Sequence, residues 1–293
     1  MKVLFWNIGA DLTEKKMELL RRVINSESPD IVCLAEGTHS VDNCKDIVSL
    51  FRKNKYVCYY SPLFCERKSL KLGYDFIRYG LKVFHKKNIT PKTAFKFGDQ
   101  REGGRAIVFK TFLNYIEYTF VFLHNLSQVK GPTTESGALI RTISDMLTLG
   151  KVSKKTPITI DPAKESRLII MGDFNMEPWD KFLKSKRYLF TSFLNKSNAL
   201  QNRNKKIKGH FFNPILEKIV GSDSDNLIGT FYNEAFGWAM FDFVLYDSNR
   251  IKLDFDILTK LSDGYKLLKD DLTIKKAFLH EGIDHLPITI SIN

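Results

Sequence analysis

Acids, amides and imidazoles follow the ends of several apolar runs in this 293-residue chain. Asn7 follows Val3–Trp6, Glu36 follows Ile31–Ala35, and His124 follows Tyr118–Leu123. Asp173 and Asn175 follow Leu168–Met171, and Asp284 and His285 precede a final alternating run. A strand end holds a side chain rigidly yet leaves it open to solvent. Residues of these types converging there suit a hydrolytic site built around a hard metal ion.

Hydrolysis of a phosphodiester sets requirements that such residues can meet. The phosphate is anionic and repels hydroxide, so a divalent cation must neutralise developing charge and polarise an oxygen. Magnesium takes oxygen ligands and keeps several waters, so one or two carboxylates and an amide oxygen are enough. Glu36 and Asn7 offer these, with Asp284 a further candidate, and manganese can substitute for the ion. Asp173 can serve as base, Asn175 can orient the water or donate to the phosphate, and His285 or His124 can donate to the leaving oxygen. Each residue also has a plainer reading. Asn7 can close a turn, Glu36 can be a solvated strand-end charge, and Gly172–Asn175 can be a tight turn in which Asp and Gly serve only the backbone. Asp242 lies inside the apolar run Phe241–Tyr246 and is harder to treat so, because a buried carboxylate needs a partner.

The elements that must position these groups are short apolar strands alternating with helical stretches. Lys2–Ile8 reads as a strand. Apolar residues at Met17, Leu19, Leu20, Val23 and Ile24 predict a helix over Thr13–Asn25, which Pro29-Asp30 ends before the strand run Ile31–Ala35. The chain thus opens with a β-α-β unit. Further strands are expected at Lys55–Tyr60, Gly80–Phe84, Gly104–Lys110, Glu117–Leu123, Arg167–Met171, Phe241–Tyr246 and Leu286–Ile292, with another helix over Thr134–Leu149. The polar stretches Lys151–Ser166 and Lys196–Lys208 read as surface loops. No repeat of fixed period divides the chain, so one domain over residues 1–293 is expected.

A composition of 43% hydrophobic and 27% charged residues, with 23 Phe, argues for an aromatic-rich core and against disorder. The net charge of +12 attracts polyanions, although solubility alone can also explain it. Basic stretches at Arg52–Lys55, Arg67–Lys71, Lys184–Arg187 and Arg203–Lys208 can contact several phosphates. Arg101 and Arg105 flank a Gly103-Gly104 turn and are candidates for the rim of the site. The 4 cysteines match no zinc-binding spacing, so reduced thiols are expected. No leader pattern and no apolar run of ~18 residues is seen. An intracellular, cytoplasmic protein without a membrane anchor is the expectation, with a monomer as default.

Read in order, the segments Trp6–Gly9 (WNIG), Leu34–Gly37 (LAEG), Leu123–Ser127 (LHNLS), Gly172–Asn175 (GDFN), Phe241–Leu245 (FDFVL) and Asp284–Ile288 (DHLPI) resemble the endonuclease/exonuclease/phosphatase superfamily. That superfamily includes pancreatic-type deoxyribonucleases, apurinic endonucleases, deadenylases, inositol polyphosphate phosphatases and neutral sphingomyelinases. The resemblance runs from residue 3 to the C-terminus, and GDFN and DH-x-P are its most specific pieces. It implies a four-layer α/β sandwich, with two mostly antiparallel sheets packed face to face and helices outside. It also implies roles: Asn7 beside the metal, Glu36 its principal carboxylate, and Asp284 a second metal or base residue. His124 would face the phosphate, Asp173 would handle the water with Asn175 beside it, and Asp242 would pair with His285. The sequence departs from the pattern at Ala35, Gly9, Asn125, Ser127 and Phe241, where many members carry other groups. None of these departures removes a core group, but they loosen any transfer of specificity; Ser127 is kept as a substrate-binding candidate.

The function implied is a magnesium-dependent phosphodiesterase, foremost a nuclease cleaving DNA or RNA by in-line attack of water. A phosphatase or phospholipase acting on inositol phosphates or sphingomyelin is the alternative enzyme. A catalytically dead nucleic-acid-binding module is disfavoured, because Glu36, Asp173 and His285 are all present.

Overall fold

The computed structural model describes residues 1–9, 12–37, 41–60, 80–97, 105–126, 137, 139–141, 143, 167–184, 191–192, 211–215, 229–248 and 250–293. Thr13 starts the first helix, α1 (Glu14–Glu27), by accepting a hydrogen bond from the backbone of Lys16, and Glu14 complements the dipole in the first turn. Ser28 ends it in a left-handed conformation, with its N–H returned to the Ile24 carbonyl, and Pro29 cannot continue the turn.

One sheet is built from β1 (Lys2–Asn7), β2 (Ile31–Ala35), β3 (Tyr56–Tyr60), β4 (Lys82–Lys86), β14 (Leu253–Ile257) and β15 (Ile288–Ile292). Its strand order is β14-β15-β1-β2-β4-β3, with β1 and β2 parallel and every other pair antiparallel. The second sheet contains β5 (Pro91–Phe97), β6 (Ala106–Leu113), β7 (Ile116–His124), β8 (Leu168–Asp173), β9 (Thr191–Ser192), β10 (Phe211–Phe212) and β13 (Asp242–Tyr246). It runs β5-β6-β7-β8-β13-β10-β9, with β7 parallel to β8 and β9 parallel to β10. A separate hairpin joins β11 (Phe231–Asn233) to β12 (Gly237–Ala239).

Strand periodicity divides the core. On β1, Val3 and Phe5 point to the layer between the sheets, where they join Cys33, Val83, Phe109, Phe120 and Phe122. Leu4 and Trp6 point the other way and pack with Leu20 and Ile24 of α1 and with Ile47 and Phe51 of α2 (Val41–Lys53). The central strands are therefore buried on both faces, which is why they read as unbroken apolar runs. On the second sheet the helical residues Leu139, Ile140 and Ile143, and Leu183 of α3 (Lys181–Lys184), join the core. The architecture is the four-layer sandwich expected, with helices outside two mostly antiparallel sheets. Among the described residues no helix is long and apolar enough to cross a membrane.

Expected strands sit where they were read, to within a few residues at their ends, and the strand Ile31–Ala35 has the boundaries expected. β4 starts at Lys82 rather than Gly80, where its pairing with β2 ends opposite Leu34. The sequence reading did not include α2, β5, the short strands β9 to β12, β14, or α4 (Lys276–His280). Of the helix expected over Thr134–Leu149, the described residues are helical and the rest lie outside them, as do the polar stretches Lys151–Ser166 and Lys196–Lys208.

Candidate active site

Pairing register brings the functional strand ends to one end of the sandwich. His124 lies opposite Asp173 in the parallel β7–β8 pair, and Asp173 lies opposite Asp242 in the antiparallel β8–β13 pair. In the other sheet Asn7 lies opposite Ala35, one residue before Glu36. The chain enters β15 antiparallel to β1, which brings Asp284 and His285 to the same end.

The side chains meet there. His285 Nδ1 contacts Asp242 Oδ2 at 2.7 Å, and both residues are buried. His285 Nε2 is 3.9 Å from Asp173 Oδ2 and 4.0 Å from Asp284 Oδ1. His124 Nε2 lies 3.4 Å from Glu36 Oε1 and 3.8 Å from Asp173 Oδ2. Asn7 donates from Nδ2 to Asp173 Oδ2 at 3.0 Å, while the Asn175 N–H donates to Asp173 Oδ1 at 2.8 Å. Both oxygens of Asp173 are thus fixed in direction.

Backbone strain marks the same residues. Glu36 and Asn175 are non-glycine residues with φ of 58° and 49°. Asn tolerates this conformation because its short polar side chain bonds locally, and here Asn175 Nδ2 donates to the Asn125 carbonyl at 2.8 Å. Glu has no such excuse, so its backbone must be held from outside. Gly172 supplies the close approach of β8 to β7: a Cβ there would lie 2.0 Å from the Leu123 carbonyl oxygen. Gly9, the residue that departs from many nucleases, is demanded by packing, since a Cβ would lie 2.0 Å from the Gly282 oxygen.

Charge is distributed unevenly. Burial works against the Glu36 carboxylate, but the hydrogen bond and charge of His124, with His285 and Arg105, outweigh it and hold its pKa at about 2. Burial likewise disfavours a charged His285, yet Asp242, Asp173 and Asp284 raise it to about 10, so the ring is an imidazolium at neutral pH. Burial pushes the carboxyl of Asp242 up, against the pull of His285, and does the same to Asp284. Among the described residues the Asp242 Oδ1 atom is buried without a hydrogen-bond partner.

Asp173, Asp242 and His285 bring donor atoms within 4.8 Å of one another and are the candidate metal cluster among the described residues. The donor set fits a divalent ion through its oxygens. The charged imidazole of His285, already bonded to Asp242 through Nδ1, is better suited to an anion than to a cation. Carboxylate oxygens, as on Asp173 and Asp242 here, are the hard donors that a divalent ion takes.

Of the residues picked from the sequence, Asn7, Glu36, His124, Asp173, Asn175, Asp242, Asp284 and His285 converge. Arg105 lies beneath them, donating to the carbonyls of His124 and Asn125 at 3.3 and 3.2 Å. Arg101 and Ser127 lie outside the described residues. Several supports escaped the sequence reading. Thr230 Oγ1 accepts from the Asp242 N–H at 2.8 Å, Asn125 Nδ2 donates to the Phe174 carbonyl at 2.9 Å, and Trp6 Nε1 donates to the His285 carbonyl at 3.0 Å. Two lysines are buried behind the carboxylates, Lys16 on α1 and Lys82 on β4, and burial lowers both to about 8 against the pull of nearby acids. A charge inside the apolar run Leu81–Phe84, and another on the apolar face of α1, were the available signals.

Fold and site together define a phosphoester hydrolase. The chain belongs to the endonuclease/exonuclease/phosphatase family, whose model matches residues 4–255. No curated protein matches it in sequence. Among solved structures it is similar to truncated TDP2 from Caenorhabditis elegans, at 15% identity and a TM-score of 0.57 over 99% of this chain and 96% of that one. It is also similar to the mannosyl-6-phosphatase of Bacteroides thetaiotaomicron, at 14% identity and 0.57 over 100% and 99% of the two chains. A third is the 3' phosphatase NExo from Neisseria, solved bound to a product DNA hairpin, at 13% identity and 0.54 over 100% and 99%. At these identities the likeness is one of fold.

Proposed function

We propose that the protein is a divalent-metal-dependent phosphodiesterase that cleaves nucleic acid. The observation that carries the hydrolytic part is the buried Asp242–His285 pair set 3.9 Å from a doubly oriented Asp173. Asp173, with Asn175 beside it, directs water at phosphorus; Asn7 fixes the other carboxylate oxygen. The His285 imidazolium, held by Asp242, donates to the phosphate oxygen that gains charge, and His124 lies 3.8 Å from the same Asp173 oxygen that His285 approaches. Glu36, with Asn7 and Asp284, supplies the oxygen set for magnesium or manganese, whose chemistry when bound is to neutralise charge on the phosphate.

The choice of nucleic acid is supported by an aromatic row beside this centre. Phe231 lies 4.9 Å from the His285 ring and is stacked on Phe241 at 5.1 Å, with the exposed Phe236 at 6.2 Å. Such a row suits an unpaired base next to the scissile phosphate, and the +12 charge suits the polyanion. A phosphatase on a small phosphorylated sugar is the second reading, favoured by the fold match to the Bacteroides enzyme.

The test is a panel of single- and double-stranded DNA, abasic duplex, RNA, inositol polyphosphates, sugar phosphates and sphingomyelin, each with magnesium, manganese or EDTA. EDTA-sensitive cleavage of a nucleic acid is expected. Turnover confined to small or lipid phosphoesters would keep the mechanism and overturn the substrate. Near wild-type turnover by Asp173→Asn would overturn the mechanism.

A further inference from the structure

Lys82 presents an unusual arrangement. It lies opposite Leu34 in the β2–β4 pair and is fully buried, with its stem in the layer that also holds Leu34 and Phe84. Among the described residues its ammonium meets only two carbonyl oxygens, those of Glu36 and of Gly80, the latter at 3.1 Å. A buried cation with no carboxylate in contact among the described residues is costly, so packing alone does not explain a lysine here. What the ammonium does hold is the carbonyl of the one acidic residue in the site whose backbone is left-handed, Glu36 at φ 58°. The reversal continues at Gly37, whose N–H donates to the Gly9 carbonyl at 2.7 Å. The peptide after Glu36 is therefore tied from both sides, by Lys82 on its carbonyl and by Gly9 on its nitrogen. This sets the direction in which the Glu36 carboxylate leaves the end of β2.

We propose that Lys82 is a positioning residue, whose buried ammonium clamps the Glu36 carbonyl and so aims the Glu36 carboxylate into the metal site. The inference rests on reading Glu36 as a metal ligand. It also reverses the simple electrostatic expectation. A lysine acting only as a nearby positive charge opposes a divalent cation, so its removal should tighten metal binding. A lysine acting as a clamp favours the cation through geometry, so its removal should weaken binding.

The experiment measures Mn2+ binding to purified protein without substrate, by the electron paramagnetic resonance signal of free Mn2+. Wild type, Glu36→Ala, Lys82→Met and the double variant are compared, with far-ultraviolet circular dichroism and melting of the metal-free proteins recorded alongside. Lys82→Met is expected to weaken Mn2+ binding by about 10-fold or more, and the double variant to bind no more weakly than Glu36→Ala. Binding by Lys82→Met equal to or tighter than wild type overturns the clamp, as do additive losses in the double variant. Unchanged binding by Glu36→Ala instead overturns the reading of Glu36 on which the clamp depends. If Lys82→Met does not fold, Lys82→Gln removes the charge while keeping a donor. A smaller loss that disappears in the Glu36→Ala background supports the clamp, and a loss that persists there overturns it.

Discussion

Asp242 and His285 are 43 positions apart in sequence, and at 2.7 Å each supplies what the other lacks. A carboxylate buried inside a strand needs a cation, and a buried imidazolium needs a carboxylate. Their pairing makes a specific prediction about protonation. In the wild type the His285 ring should titrate at about 10, and in Asp242→Asn its midpoint should fall toward the ordinary value of 6.5. Because the folded pKa of His285 is raised, the stability contributed by its protonation is complete below the unfolded value of 6.5, and it is lost as pH rises through about 10. The rate should lose its charged donor over the same alkaline range. Ring-proton NMR through the titration checks this, and an unmoved midpoint in Asp242→Asn would remove Asp242 as the partner. The two residues were legible as candidates because one was an acid in an apolar run and the other opened the last strand. Which oxygen meets which nitrogen was not.

At the level of elements, the site depends on how closely neighbouring strands approach. Gly172 sits between Leu123 and Phe243 in register, and a methyl group there would lie 2.0 Å from the Leu123 carbonyl. Gly172→Ala should therefore destabilise by about 3 kcal/mol or more, as forced overpacking does. A melting temperature within a degree or two of wild type would show that β7 and β8 can separate without loss. Glu27 anchors the other end of the molecule, where the last turn of α1 meets β1 and the segment after β14. Its carboxylate accepts from the Lys2 ammonium and from the N–H of Ser262 at 2.7 Å and its hydroxyl at 3.0 Å. Since Lys2 is partly exposed, most of the loss in Glu27→Ala should come from the stranded Ser262 donors, at about 2 kcal/mol. Denaturant melts check the figure, and a neutral substitution would mean that water replaces the carboxylate. Five of the unread strands have identifiable physical causes. β9 to β12 are 2 or 3 residues long, too short for a period to register. β14 exposes alternate residues at an edge of its sheet, so its pattern is weak against a polar background.

For the molecule as a whole, the charge of +12 becomes a prediction about substrate. If a nucleic acid is the substrate, its affinity should fall steeply with salt, with a log–log slope of roughly −0.7 to −0.9 for each phosphate contacted. A small phosphomonoester should show little of that dependence. Measuring KM for an oligonucleotide between low and moderate salt decides the matter, and a flat response would assign the basic residues to solubility. The sequence by itself determined the family, the two-sheet architecture and the identity of the chemical groups. Apolar runs ending in acids, amides and imidazoles are local patterns, and burial on both faces leaves the central strands no other composition. Only the tertiary structure decided the contacts: that both oxygens of Asp173 are tied, that His285 meets Asp242 through Nδ1 and Oδ2, and that Lys82 reaches the carbonyl of Glu36. Those depend on register between strands distant in the chain and on where a long side chain ends inside a packed core, and neither is encoded in any local stretch of residues.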